Sequence, residues 1–348
     1  MRNVPAILVC DAGMRSLEIA GMTVLDRLVV TCHRAGCDPI FIVSTDKPAL
    51  PRADALGIET KIVPVSPESL EPALVISGGA LVEAGDLEQV IEHNAQLVSS
   101  NQQRLPISMS DSGSAMVAAK GIALPVNDAA SARVAENKLW NSLTSSADGV
   151  VDRLFNRPVG RVLSKILVHT PVSPNQVSIV SILIGVASGW FFARGQFILA
   201  AIILQVCAVI DCVDGDLARA LFKQSFIGKW LDLVGDQIVH LAVFLGIGIG
   251  VARMNPTTPA LALGISAAIG VVFCLLVMLR GMKLVTDRRF LFSKLVDAAA
   301  NRDFSLLLLI LALVGKMGLF LWLAGIGIHL FWLAMLLLQV QAVRTDKA

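Results

Sequence analysis

The chain has 348 residues, of which 55% are hydrophobic and only 16% charged, with a formal net charge of +2. Its mean hydropathy is +0.71, whereas soluble domains carry about 25% charged residues. This composition excludes a disordered chain or a coiled coil, argues against an ordinary soluble enzyme, and gives no electrostatic reason for nucleic-acid binding.

The charges are unevenly spread. Residues 1–147 read as a cytoplasmic α/β, Rossmann-like domain; residues 4–11, 39–45, 59–65 and 72–76 have strand character and 22–36 that of an intervening helix. Alternating β and α predicts a parallel sheet. The N-terminal apolar run is too short for a secretory signal, so this part is expected to stay in the cytoplasm. The six cysteines form no CxxC pair and suit a reducing compartment.

Residues 148–170 are basic. Over 149–168, apolar residues alternate with Arg153, Arg157, Arg161 and Lys165 at roughly helical spacing, which predicts an interfacial amphipathic helix with its cations toward lipid phosphates. The run Thr170 to Asn175 breaks it, and Pro174 suits a first helical turn.

A membrane domain is expected over 171–348. Its apolar runs predict six transmembrane helices, about 174–194, 197–221, 228–252, 258–282, 298–316 and 319–342, because a span needs about 20 apolar residues. The 40-residue run 304–343 is broken only by Lys316 and reads as a hairpin turning near Lys316–Gly318. Basic residues cluster before span one, between two and three, between four and five, and after six. The positive-inside rule therefore puts both termini in the cytoplasm.

Residues 211–236 place acids at the cytoplasmic ends of two of these helices. Each Asp within a span costs about 2.5–3.5 kcal/mol on an insertion scale, so the cluster calls for compensation. Asp211, Asp214 and Ala218 fall at i, i+3 and i+7 on one helix face, with Arg219 on the same side. Gly215 allows close approach of a backbone or ligand. Asp216 lies about 200° around the helix from Asp214 and is left off that face. Asp232 and Asp236 stand at i, i+4 on the next helix, which begins near Gly228. Two carboxylate pairs on adjacent helices can bracket one or two hard divalent cations, Mg²⁺, Mn²⁺ or Ca²⁺, which suit phosphoryl chemistry.

The pattern D-x2-D-G-x2-A-R-x8-G-x3-D-x3-D, filled by Asp211, Asp214, Gly215, Ala218, Arg219, Gly228, Asp232 and Asp236, resembles the signature of the CDP-alcohol phosphotransferase family. The resemblance covers about 148–343. It implies six membrane helices around a cytoplasm-facing cavity, two divalent ions (Mg²⁺ or Mn²⁺), and Asp211, Asp214, Asp232 and Asp236 as metal ligands. It also implies a nucleotide site at Asp211, Asp214, Gly215, Ala218, Arg219 and Gly228. Asp236 would be the general base that activates an acceptor alcohol against the β-phosphorus of a CDP-alcohol, with release of CMP. Family members are commonly homodimers. Many use a phosphorylated acceptor, for which Arg280, Lys283 and Arg302 are the candidates here. His240, one turn beyond Asp236, reads as a core histidine, and His329 as a partner in an interhelical hydrogen bond. A transporter, the reading from another class, would spread its acids through the membrane depth, whereas these gather at one side.

The stretch GMTVLDRLVVTCHRAGCDPIFIVS, residues 21–44, and the helix 126–143 with Glu136, Leu139 and Trp140, resemble a sugar-nucleotidyltransferase fold. That family's first loop is Gly-rich and basic. Here Asp11-Ala12-Gly13-Met14-Arg15 runs at once into Ser16-Leu17-Glu18 with no second glycine, and Asp111 sits in a loop-like context. The expectation is a degenerate domain; the alternative is a bifunctional enzyme that also makes its CDP-alcohol donor.

Overall fold

The computed structural model describes residues 4–66, 72–144, 149–256, 258–284 and 304–345. The chain divides into two compact units, Met1–Leu143 with Ala220–Phe222, and Thr144–Arg219 with Lys223–Ala348.

The first unit is built on a seven-stranded sheet. Its strands are β1 (Val4–Val9), β2 (Cys37–Val43), β3 (Thr60–Val63), β4 (Leu74–Ile76), β5 (Gln96–Val98), β6 (Arg104–Met109) and β7 (Met116–Ala118). They lie in the order β7-β5-β6-β4-β1-β2-β3. Every pairing is parallel except those of β6, which runs antiparallel to β4 and β5. Ala6, Ile7 and Leu8 of β1 are all buried, as a central strand covered on both faces requires. Helix α1 (Val24–Arg34) starts at Thr23, whose hydroxyl accepts from the Asp26 N–H at 3.2 Å. Its Asp26 carboxylate accepts from the backbone N–H groups of Arg52 and Ala53 at 2.8 and 2.9 Å. Burial raises that carboxyl above its ordinary pKa while the two N–H groups pull the other way.

The turn after β1 is a compact one. Residues Ala12–Ser16 wind into a short helix capped by Asp11, which accepts from Met14 N–H at 2.7 Å. Arg15 is turned away, bonded to Ser44 and 3.7 Å from Asp46. Asp111 is exposed in a turn.

The second unit begins with a single π-helical turn, Asp152–Asn156, running into α2 (Arg157–Leu167). The expected outward fan of cations holds only in part. Arg157 is 8% exposed and faces inward, whereas Leu154, Val162 and Ile166 are exposed. The reason is a buried acid on a neighbouring helix, described below. Five helices follow that are long and apolar enough to cross a membrane: α3 (Pro174–Ala193), α4 (Phe197–Ala220), α5 (Phe226–Met254), α6 (Ala260–Leu284) and, last in the chain, α8 (Met317–Thr345). Of the expected fifth span, the described part is α7 (Phe304–Leu313), ten residues long; residues 298–303 lie outside the described residues. The structure thus supports five of the six spans. The hairpin between α7 and α8 turns at Gly315, whose φ of +70° favours glycine.

Helices α3 and α5 pack backbone to backbone. A Cβ on Gly189 would stand 2.5 Å from Ala242 O, and one on Gly246 2.2 Å from Gly189 O, the close approach that small residues permit between membrane helices. Helix α3 is pinned at its start by Ser173, Pro174 and Gln176, a capping box in which Ser173 and Gln176 bond each other's backbone. Replacing Gly189 by Leu should force α3 and α5 apart at a cost of about 1–3 kcal/mol or more, read as a lowered thermal midpoint in detergent. Gly318→Ala, where nothing lies within 4 Å, should leave the midpoint unchanged.

Candidate active site

Helices α4 and α5 carry the acids, and α3 supplies their hydrogen bonds. Asp211 and Asp214 stand one turn apart on α4, and Asp232 lies in the second turn of α5. Oxygens of these three carboxylates lie within 4.8 Å of one another. Bonds of about 2.1–2.5 Å to a hard cation would put opposed ligand oxygens about 4–5 Å apart, so the cluster fits one divalent ion. Ser178 Oγ donates to Asp214, and Ser181 Oγ to Asp211 at 3.3 Å. These bonds orient the carboxylates from behind, as outer partners do at metal sites. Asp214 is buried, Asp211 half-buried and Asp232 exposed, so the cluster opens on the side of Asp232.

That side is a cavity of about 500 Å³ lined by Asp214, Gly215, Ala218, Gly228 and Asp232, with Asn175, Ser178, Lys223 and Lys229 completing its polar wall. The volume falls in the range of small-molecule sites, about 300–1,000 Å³. Gly228 stays small for a reason: a Cβ there would meet Asn175 Oδ1 at 3.0 Å. Its N–H is held at 2.9 Å by Ser225 Oγ, the N-cap of α5. Arg219 lies over Gly215, where a Cβ would be 3.2 Å from its Nη2.

Asp236 stands apart from the three-carboxylate cluster. One turn beyond Asp232 on α5, it lines a second cavity of about 360 Å³ with Gln237, His240 and a wall of apolar side chains including Phe244, Phe304 and Phe320. His240, on the wall of this cavity, stacks on Phe244 with ring centroids 6.1 Å apart. His329 makes the expected interhelical bond, 3.0 Å from Ser266 Oγ. Arg280 is exposed and lines neither cavity. The side chain of Lys283, and Arg302 altogether, lie outside the described residues.

Sequence reasoning missed Ser178, Ser181, Lys223 and Lys229. The serines sit at i, i+3, the one available signal, but a serine in an apolar helix reads as a tolerated small residue. The lysines were counted only as topology signals. Removing the Ser178 hydroxyl should lower affinity for Mn²⁺, measured calorimetrically on the purified chain, by roughly 10- to 100-fold. Ser188→Ala, which loses a bond to Ala200 O, should not change it.

Comparison with known proteins bears on the same helices. The archaetidylinositol phosphate synthase of Pyrococcus horikoshii is 37% identical over 94 residues, 27% of this chain and 50% of that protein. The bifunctional IPC transferase and DIPP synthase of Thermococcus kodakarensis is 34% identical over 98 residues, 28% of this chain and 22% of that protein. The chain therefore spans half or less of the length of these relatives. A crystal structure of phosphatidylinositol phosphate synthase from Mycobacterium tuberculosis with CDP-DAG bound aligns at a TM-score of 0.39 and 22% identity, covering 52% of this chain and 94% of that one. Residues 171–343, the stretch that holds every acid and serine of the site, match the CDP-alcohol phosphatidyltransferase family model, and the chain belongs to that family.

Proposed function

We propose that this chain is an integral-membrane CDP-alcohol phosphotransferase. It moves a substituted phosphoryl group from a CDP-alcohol to an acceptor alcohol and releases CMP. The observation that carries this reading is the convergence of Asp211, Asp214 and Asp232, the last two of which line a cavity with two lysines.

Asp211, Asp214 and Asp232 would hold one divalent ion, Mg²⁺ or Mn²⁺, with Asp236 contributing to a second. Such ions neutralise pyrophosphate charge and stabilise in-line displacement. The protein's own groups do the rest. Gly215, Ala218 and Gly228 leave room for the nucleotide, and Lys223 and Lys229 face its phosphates. Asp236 accepts the proton of the acceptor hydroxyl. The acceptor oxygen bonds to the β-phosphorus as the bond from that phosphorus to the bridging oxygen breaks, and CMP departs with the bridging oxygen. A carboxylate is a weak base for an alcohol, so the hydroxyl must be bound and polarised where Asp236 meets it.

We place six spans in the cytoplasmic membrane, with both termini and the site on the cytoplasmic side, on the distribution of Arg and Lys. A homodimer is the assembly the resemblance suggests. The relatives' names suggest an inositol-containing acceptor or product, with Arg280, Lys283 and Arg302 as acceptor-phosphate candidates. The bifunctional relatives' names favour the alternative, a chain that also makes its CDP-alcohol donor; against it stands the turn after β1, a closed helix with Arg15 tied to Ser44.

The test is CMP release by the purified full chain in detergent. It is supplied with CDP-diacylglycerol or CDP-inositol, with Mg²⁺ or Mn²⁺, and with inositol, inositol phosphate, glycerol phosphate or serine. Acceptor-dependent, metal-dependent release is expected, falling roughly 10²- to 10⁴-fold in Asp236→Asn. Folded protein that neither releases CMP nor binds CMP with metal would overturn the reading. Supplied instead with CTP and inositol phosphate, the chain should make no CDP-alcohol.

A further inference from the structure

One acid of α4 has no part in the cluster, yet it is among the most enclosed groups in the unit. Asp216 is 0% exposed. It lies on the face away from Asp211 and Asp214, where the juxtamembrane helix α2 crosses α4. Gly160 permits that crossing, since a Cβ there would stand 3.0 Å from Val209 O. Asp216 Oδ1 accepts from Arg157 Nη1 at 2.7 Å and from Arg219 Nη2 at 3.1 Å, and Oδ2 accepts from Ser164 Oγ at 3.4 Å.

We infer that Asp216 is a positioning residue. It holds the Arg219 guanidinium over Gly215, a wall residue of the nucleotide cavity, and keeps it off the metal-binding carboxylates. Charge balance for a buried carboxylate needs one guanidinium, and Arg157, itself 8% exposed, supplies it. The second guanidinium comes from Arg219, which the same bond draws across Gly215. Arg219 is five residues from Asp214, about 7.5 Å along the helix axis, within reach of a long flexible side chain. Released from Asp216, it would pair with a cluster carboxylate and compete with the cation. Held, it keeps donors of its five N–H groups for a phosphate. Arg157 thereby ties α2 to the same acid, so the juxtamembrane helix also sets where Arg219 stands.

This inference rests on the reading of the 500 Å³ cavity as the nucleotide site, and its test separates the two. CMP binding with Mn²⁺ is measured by calorimetry, and KM for CDP-alcohol and for acceptor by CMP release. The variants are Asp216→Asn, Asp216→Glu and the double variant Arg157→Met/Asp216→Leu. The double variant replaces the buried pair by apolar groups, an exchange that buried ion pairs often tolerate without loss of stability.

In the Asn and double variants, CMP affinity should fall and donor KM rise by roughly 10- to 100-fold, the worth of a hydrogen bond to a charged group. Acceptor KM and the thermal midpoint of the double variant should stay near wild type. Asp216→Glu, which keeps the charge, should recover part of the loss. A double variant that folds and binds CMP as the wild type does would overturn the inference, leaving Asp216 as a packing residue for α2. Wild-type protein that binds no CMP would overturn the functional reading instead.

Discussion

A carboxylate in a membrane helix must find a cation or a hydrogen-bond donor, and the second unit is organised around that requirement. Five aspartates on α4 and α5 meet it in different ways. Asp216 is closed off with Arg157, Arg219 and Ser164. Asp211 and Asp214 lean on Ser181 and Ser178 and, with Asp232, leave oxygens aimed at one point. Asp236 lines the second cavity, whose wall also carries Gln237, His240 and several aromatic rings. The same residue type thus serves as structural anchor, candidate ligand and candidate base, and surroundings alone separate the roles.

The serines reach the acids only because α3 approaches the site so closely. Gly189 and Gly246 bring the α3 and α5 backbones into contact, and the capping box at Ser173 fixes where α3 starts. Ser178 and Ser181 then fall one and two turns in. A second buried chain of bonds steadies the far side of α4: Gln205 donates to Asn156 Oδ1 at 2.5 Å and accepts from Ser305 Oγ at 3.0 Å. It joins the juxtamembrane turn, α4 and α7 through neutral groups, where desolvation is cheaper than for ions.

Much of this was legible in the residues. The first four strands of the sheet and the limits of α3, α4, α5, α6 and α8 follow from apolar runs and their breaks, because burial and span length act directly on composition. The strands β5, β6 and β7 were not foreseen; in β6 the apolar run is interrupted by Pro106, which reads against a strand. Helical spacing paired Asp211 with Asp214 and Asp232 with Asp236; the first three gather in one cluster while Asp236 lines the other cavity, and the rotation of Asp216 off the face of Asp211 and Asp214 was correct. Its partner was not readable: Arg157 is 59 residues away and looked like one more interfacial cation. Spacing on one helix reports which side chains share a face. It carries no information on which neighbouring helix that face will meet.

The carboxylate cluster also has a thermodynamic side. Folding gathers Asp211, Asp214 and Asp232 to within 4.8 Å against their mutual repulsion, and serine hydroxyls offset that only in part. A cation that binds the assembled site and not the unfolded chain stabilises the fold in proportion to the logarithm of its free concentration. With a cation held there, the aspartates proposed for the chemistry would also make the integrity of the helix bundle answer to the divalent-ion level around it, whether or not any substrate is present.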